Sequence, residues 1–277
     1  MSNVVATNVM SLNAQRNLNN NTMGLSTAME RLSSGLRINS AKDDAAGLAV
    51  AERMNAQARG MNVAIRNASD AVSMVRTADG GLQQITDTLQ RMRELAVQSA
   101  NGTYDADDRE LLEKEYSELN SELTRIAGVT QFNNQSLLAS NATDVTFQVG
   151  ANTASGVDTI DVAFKDITGD FASVTSSNIS GADATAATGA IDAIDDALDE
   201  INSQRAEFGA AMNRFEATIT NLRNASENQT SAMSRIMDAD FAQETAALTR
   251  GQVLQQSGIA ILAQANQAPQ AVLGLLR

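Results

Sequence analysis

The chain lacks three residue types on which much enzyme chemistry depends: it has no cysteine, no histidine and no tryptophan among 277 residues. Without cysteine, disulfide bonds and thiolate metal sites are excluded. Without histidine, the usual general base and the most frequent metal ligand are missing. The adjacent carboxylates Asp43 and Asp44, and the pair Ser40 and Lys42, have no supporting constellation around them. The sequence therefore predicts no enzyme, no cofactor and no metal site.

Proline and aromatic residues are also scarce, with one proline and 3% aromatics. Small aliphatic residues dominate the apolar set instead. Few aromatics suit thin layers of helices better than a thick globular core. The composition favours a mainly α protein.

The formal net charge is −13, and it is unevenly distributed. Residues 1–42 contain four basic side chains and one acidic, while residues 238–277 contain three acidic and two basic. The acidic surplus therefore lies between them. An acidic middle argues against nucleic acid and against an anionic membrane as partners.

The clearest pattern in the chain is a heptad repeat that begins at Ile191 and ends at Ile236. Its seam is mostly apolar, and Arg205, Ser226 and Gln229 interrupt it. A seam of this length predicts one helix of about 70 Å in a coiled-coil-like bundle. Such a helix needs partner helices to cover its seam. Apolar residues that recur every three or four positions predict them earlier in the chain, at 54–96 and at 112–126.

The segment between these helical patterns has a different character. Alternating apolar residues, with a glycine-containing stretch between them, predict a β-hairpin near residues 143–165. Small polar residues then predict a variable, exposed loop at 166–189.

The two ends of the chain each predict an amphipathic helix that carries very little charge. Arg16 is the only charged side chain before Met29, and residues 251–276 carry none. The N-terminal stretch is either a poorly ordered terminus or a helix whose polar face packs in an assembly. A membrane span is disfavoured because the C-terminal run contains many glutamines. The first 30 residues show no signal-peptide pattern, which predicts a cytoplasmic protein or one exported by another route.

Three sequence motifs give the chain a close resemblance to a known family. They are LSSGLRINSAKDDAAGL at 32–48, QRMRELAVQSAN at 90–101 and LAQANQ at 262–267, with the ending LLR. The chain resembles bacterial flagellin over roughly 1–170 and 185–277. It is similar to a short form that lacks the large central outer domains.

The resemblance implies an architecture and a function. Residues 1–42 and 238–277 would form an inner coiled-coil domain, and residues 43–237 a helical rod domain that contains the hairpin and the loop. The protein would be an extracellular structural subunit that polymerises into the flagellar filament for swimming. The subunit would be exported unfolded through the flagellar type III apparatus and would assemble at the filament tip.

The resemblance also implies partners and contact residues. Besides other copies of itself, the partners would be a flagellar export chaperone, the hook–filament junction and cap proteins, a host Toll-like receptor and the cytosolic NAIP sensors. The receptor contacts would be Arg91, Leu95 and Glu115. The cytosolic-sensor segment would contain Leu273, Leu275 and Leu276. Polymerisation and terminal packing would involve the six residues Leu18, Leu25, Leu32, Leu248, Leu254 and Leu262.

A second hypothesis, from a different class, is a monomeric intracellular scaffold that uses its seams to bind partner helices. The uncharged ends separate the two hypotheses. A filament would bury them, while a free monomer would leave them in contact with water.

Overall fold

The structure is a computed structural model that describes residues 7–152 and 156–274, with side chains up to residue 267. It is mainly α-helical, as the sequence predicts, and contains two small antiparallel strand pairs. In chain order the elements are α1 (Val9–Ser34), α2 (Ala45–Ser99), α3 (Ala106–Val129), β1 (Gln131–Phe132), β2 (Gln135–Ser136), β3 (Val145–Gln148), β4 (Thr159–Val162), α4 (Ala172–Ser176), α5 (Thr185–Met237) and α6 (Phe241–Gly274). None of the helices in this described part of the chain has an apolar stretch sufficient to cross a lipid bilayer.

The chain divides into two compact units. The terminal unit comprises the residues up to 56 and those from 228 onward, and the central unit comprises residues 57–227. The domain boundaries expected from the resemblance, after residue 42 and before residue 238, concern the assembled subunit and remain a prediction.

The core of the central unit is formed by the predicted seams of α2, α3 and α5 together with the segments that follow α3. Buried seam positions on α5 include Ile194, Ile201, Phe208 and Phe215. Phe208 packs against Phe164 with ring centroids 5.5 Å apart. The interruption of the seam at Arg205 is accommodated because its Nε donates to Oδ1 of Asp79 at 2.9 Å. The helical seams are therefore buried packing surfaces, and the polar residue Arg205 on the α5 seam has a partner on α2.

The predicted β-hairpin is present, with β3 and β4 paired so that Val145 lies opposite Val162. A second, smaller hairpin joins β1 to β2 and was absent from the sequence prediction. Its turn residues Asn133 and Asn134 both have positive φ, 48° and 65°. Two consecutive left-handed residues form the turn that matches the twist of a hairpin, and asparagine tolerates that conformation.

The segment 166–189 differs from the exposed loop that its composition predicts. Phe171, Val174 and Ile179 are buried in the core of the central unit, and the short helix α4 follows Phe171 and contains Val174. Helix α5 begins at Thr185, so it includes the end of the expected loop. A few apolar residues spaced among serines and threonines are enough to anchor this connection.

The connection between α1 and α2 is a turn that packs within the terminal unit. Gly35 ends α1 in the left-handed conformation (φ 72°). Within this turn the Asp43 carboxylate accepts hydrogen bonds from the backbone and side chain of Ser40. The next residue, Asp44, accepts a hydrogen bond from the Gly47 backbone N–H at 2.8 Å, at the start of α2. Asp44 therefore caps the N-terminus of α2.

Candidate assembly surface on the terminal helices

Helices α1 and α6 pack against each other in an antiparallel pair. One seven-residue repeat on each helix supplies the contact. On α1 the repeat comprises the buried or half-buried residues Ser11, Ala14, Leu18, Asn21, Leu25, Ala28 and Leu32, and Arg31 beside them is half-buried as well. On α6 they are Glu244, Leu248, Gly251, Gln255, Gly258, Leu262 and Ala265. This pairing of complementary stripes is the helix-pair geometry that the heptad pattern of the two ends requires.

Polar side chains fix the register of the pair along its length. The Asn21 amide donates to the Gly251 carbonyl oxygen at 2.8 Å, and the Asn8 amide donates to the Ala265 carbonyl oxygen at 2.8 Å. At the other end the Arg31 guanidinium donates to the Glu244 carboxylate at 3.1 Å. Shifting either helix by one turn would break all of these bonds, so the register is specific.

Small residues on α6 let the helices approach closely. A Cβ added at Gly258 would lie 3.2 Å from Cδ1 of Leu18. Gly251, one heptad earlier, faces Leu25 in the same way. Neither glycine was identified as important from the sequence. Their spacing of seven residues, matched by the spacing of Leu18 and Leu25, is the signal that would have found them.

The outer surfaces of this helix pair are unusually apolar. Ten of the fifteen exposed large apolar side chains in the described residues lie on α1 or α6. They are Val9, Met10, Leu12, Met23 and Met29 on α1, and Phe241, Val253, Leu254, Ile259 and Ile261 on α6. A concentration of exposed apolar side chains on one part of a protein marks a surface that another molecule covers.

A shallow groove of about 250 Å³ runs between the two helices. Its lining includes Ala14, Leu18, Leu254, Gly258 and Ile261. Asn17, Asn21 and Ser257 also line the groove, so apolar and polar side chains alternate along it.

The six leucines predicted for polymerisation and terminal packing divide into two groups. Leu18, Leu25, Leu32, Leu248 and Leu262 are half-buried in the contact between α1 and α6. Leu254 is exposed and lines the groove.

Of the three leucines predicted for the cytosolic-sensor segment, Leu273 lies within α6, while Leu275 and Leu276 lie outside the described residues. The roles of both sets of leucines, in polymerisation and in sensing, remain predictions.

The predicted receptor contacts lie in the central unit. The Arg91 guanidinium donates to the Glu115 carboxylate at 2.8 Å and to the Glu94 carboxylate at 2.9 Å. These hydrogen bonds, first to Glu115 and then to Glu94, raise the pKa of Arg91. Leu95 is only 2% exposed, so its side chain belongs to the core. The structure brings Arg91 and Glu115 together on the surface but does not present Leu95 beside them.

Two sequence profiles of one family match the chain. The profile of the bacterial flagellin N-terminal helical region matches residues 5–143. The profile of the bacterial flagellin C-terminal helical region matches residues 191–276. Together they cover α1 to α3 and nearly all of α5 and α6.

Full-length relatives show the same likeness. The chain is 47% identical over 274 residues to a flagellin of Halalkalibacterium halodurans, covering 99% of this chain and all of that protein. It is 43% identical over 288 residues to the flagellar filament 33 kDa core protein of Treponema phagedenis, covering 99% of this chain and all of that one.

Solved structures agree with the fold. The crystal structure of Bacillus cereus flagellin aligns with a TM-score of 0.51 at 36% identity, over 57% of this chain and 88% of that one. A structure of a flagellar hook-associated protein from Vibrio parahaemolyticus aligns with a TM-score of 0.59 at 13% identity, over 71% of this chain and all of that one. The second likeness concerns the fold alone.

Proposed function

This chain belongs to the bacterial flagellin family and is a structural subunit of the flagellar filament, and we propose that it polymerises through the outer surfaces of α1 and α6. The observation that carries this proposal is the concentration of exposed apolar side chains on these two helices. They are uncharged over most of their length, so neighbouring copies bury them at little electrostatic cost.

The energetics of burial favour this surface over others. Full burial of one large aliphatic side chain stabilises a contact by about 1.5–3 kcal/mol, and these side chains are already partly covered. Ten such side chains on one helix pair exceed what any other described element offers. By contrast, 26 of the 33 acidic side chains belong to the central unit. The terminal helices are the surface that gains most from association.

Membership of the family supports a proposed route by which the subunit reaches the filament. The subunit is exported unfolded through the flagellar type III apparatus, held beforehand by an export chaperone on its uncharged C-terminal helix. It is then added at the tip of an extracellular filament, between the hook–filament junction proteins and the cap. Secretion of the tagged chain by a motile host, and its loss when the flagellar export apparatus is deleted, would test this route.

Polymerisation itself is tested by seeded growth. The purified chain is mixed with short filament fragments, and filament length is measured by electron microscopy. We expect elongation into helical filaments. Persistent monodisperse particles would instead support an intracellular scaffold that binds partner helices.

A matched pair of variants locates the surface. Val253 on α6 and Val157 in the loop of the β3–β4 hairpin are both exposed valines. Val253→Lys should slow elongation at least about tenfold, because a lysine would be buried in the contact without a partner. Val157→Lys should leave elongation unchanged. Equal elongation of both variants would remove α6 from the polymerisation surface.

A further inference from the structure

One line of residues on α1 combines exposure, opposite charges and a regular spacing. Val9, Arg16, Met23 and Glu30 follow each other every seven residues, and all four are exposed. The positions that contact α6, such as Leu18 and Leu25, lie on the opposite side of the helix. We refer to these four residues as the outer stripe.

The two charges of the outer stripe have no ion-pair partner among the side chains that the structure describes. Neither Arg16 nor Glu30 forms an ion pair with any residue whose side chain the structure describes, whereas neighbouring Arg31 is paired with Glu244. If other copies cover α1, an unpaired charge would be expensive to bury. Arg16 and Glu30 have opposite signs, so each can supply the partner that the other lacks.

Apolar contacts alone do not determine how far one copy is shifted along its neighbour. The pattern on α1 repeats every seven residues, so shifts of seven and fourteen residues bring similar helix faces together. The outer stripe removes this ambiguity. In a parallel neighbour shifted by fourteen residues, Val9 meets Met23 and Arg16 meets Glu30. A shift of seven residues would set Arg16 against Val9 and Met23, and Glu30 against Met23.

We propose that the outer stripe is a contact between two copies of this chain, in which Arg16 of one copy pairs with Glu30 of a parallel neighbour. The neighbour is displaced by fourteen residues, about 21 Å along the helix axis. The charge pair selects the axial register, as polar positions do in coiled coils. This inference rests on the proposed polymerisation, and it adds the residues and the offset that one contact uses.

An antiparallel contact would also pair the charges, with Arg16 against Glu30 twice and Met23 against Met23. That arrangement has a two-fold axis and closes on itself as a dimer. A filament grows only through contacts that join different patches on successive copies. Polymerisation therefore favours the parallel contact, and the two arrangements make different experimental predictions.

Charge exchange tests the pairing at low ionic strength. Arg16→Glu and Glu30→Arg should each raise the subunit concentration needed for seeded growth at least about tenfold. The double variant Arg16→Glu/Glu30→Arg should return to within about threefold of the parent, with the same helical circular dichroism throughout. Single variants that grow like the parent, or a double variant no better than either single, would overturn the pairing.

Arg250 provides a control for the choice of partner. It is the other exposed charge on the two helices that forms no ion pair with the described side chains. The double variant Glu30→Arg/Arg250→Glu should grow as poorly as Glu30→Arg alone. Rescue by this combination, without rescue by the exchange at Arg16, would assign Glu30 to Arg250 and overturn the proposal.

Crosslinking tests the direction of the contact, because the chain has no cysteine of its own. Filaments of the double variant Val9→Cys/Met23→Cys, oxidised with copper phenanthroline in air, should give a ladder of linked chains on a non-reducing gel. A disulfide forms only where the Cβ atoms come within about 4.5 Å. Neither single variant should crosslink.

Two crosslinking results would contradict the parallel offset. Linked dimers from Met23→Cys alone would indicate the antiparallel contact. If filaments of the double cysteine variant gave no ladder, Val9 of one copy would not lie beside Met23 of its neighbour. Failure of the unmodified chain to elongate seeds would be a failure of the proposed polymerisation instead, so the two claims are separable.

Discussion

Leu25 on α1 lies directly against Gly251 on α6. A Cβ added at Gly251 would lie 3.1 Å from Cδ1 of Leu25 and 3.7 Å from its Cβ. The 3.1 Å distance is just below ordinary van der Waals contact, so even an alanine side chain at this position would crowd Leu25. The close approach brings the Gly251 carbonyl within reach of the Asn21 amide.

We therefore expect Gly251→Leu to separate α1 from α6. The added side chain would overlap Leu25, and overpacking of this kind costs about 1–3 kcal/mol. Hydrogen exchange of the α6 backbone amides should become correspondingly faster.

Gly24 on α1 is the control for helix propensity, since no atom lies within 4 Å of an added Cβ there. Gly24→Ala should slow exchange slightly, because alanine favours a helix by about 1 kcal/mol over glycine. Unchanged exchange in Gly251→Leu would show that the two helices do not pack as described.

The core of the central unit is predicted to depend strongly on Phe215. This side chain is fully buried and meets Phe147 edge to face, with ring centroids 5.6 Å apart. Phe215→Ala should lower the free energy of unfolding by about 3–5 kcal/mol. Leu222, on the same predicted seam, is only half-buried, so Leu222→Ala should cost less. Equal urea midpoints for the two variants would contradict the observed burial pattern.

Tyr116 gives the central unit a predicted sensitivity to alkaline pH. Burial raises the pKa of its phenol above the ordinary value of 10.0. The unfolded chain therefore loses this proton more readily than the folded chain. Stability is fully present below about pH 10 and is lost as the pH rises through the higher folded pKa. The Tyr116 hydroxyl also shares a hydrogen bond of 2.8 Å with Ser177.

Tyr116→Phe should weaken the loss of stability above pH 10 and should also remove the Ser177 hydrogen bond, at a cost of about 1 kcal/mol. A residual alkaline loss is expected from Lys165, whose pKa is raised by its hydrogen bond to Glu200. Tyr104→Phe is the matched control and should retain the full dependence. Urea unfolding between pH 8 and 12 is the measurement, and parallel curves for all three proteins would contradict the assignment to Tyr116.

The receptor contact predicted for Arg91 is tested by activation of the flagellin-sensing Toll-like receptor in a cell reporter assay. Arg91→Ala should weaken activation at least about tenfold, because arginine frequently anchors protein interfaces. Arg125 is a suitable control, since it forms a similar exposed ion pair with Glu122 on α3. Equal activation by Arg91→Ala and Arg125→Ala would remove Arg91 from the contact.

The long helices could be predicted from the sequence because their apolar residues mark the buried face directly. Ile194, Ile201, Phe208 and Phe215 are large, regularly spaced and fully buried. The beginning of α5 was missed because its buried positions there, Ala187 and Ala190, are too small to stand out. The buried character of 166–184 was missed because only four large apolar residues, Ile167, Phe171, Val174 and Ile179, stand among many small and polar ones.

The contact between α1 and α6 shows a different limit of sequence reasoning. Large apolar side chains such as Val9, Leu12 and Met29 ordinarily mark the packed face of an amphipathic helix like α1. They are exposed, and small or polar residues such as Ser11, Asn21 and Ala28 occupy that face with the leucines. Glycines on the partner helix decide which positions can approach closely, and this complementarity depends on two distant segments at once. The exposed apolar residues remain available for other copies.

In the filament, neighbouring copies are expected to cover the exposed apolar surface of α1 and α6. Methionine oxidation by hydrogen peroxide, measured residue by residue with mass spectrometry, tests it in the unmodified chain. In the free subunit Met10, Met23 and Met29 are 69%, 63% and 56% exposed, while Met74 and Met92 are 4% and 0% exposed.

In the free subunit the three α1 methionines should oxidise quickly and Met74 and Met92 slowly. In assembled filaments the three α1 methionines should become at least about tenfold slower, since burial removes the access on which oxidation depends. Met74 and Met92 should remain slow in both states. Filaments in which the α1 methionines oxidise as fast as in the free subunit would show that neighbouring copies leave this surface uncovered.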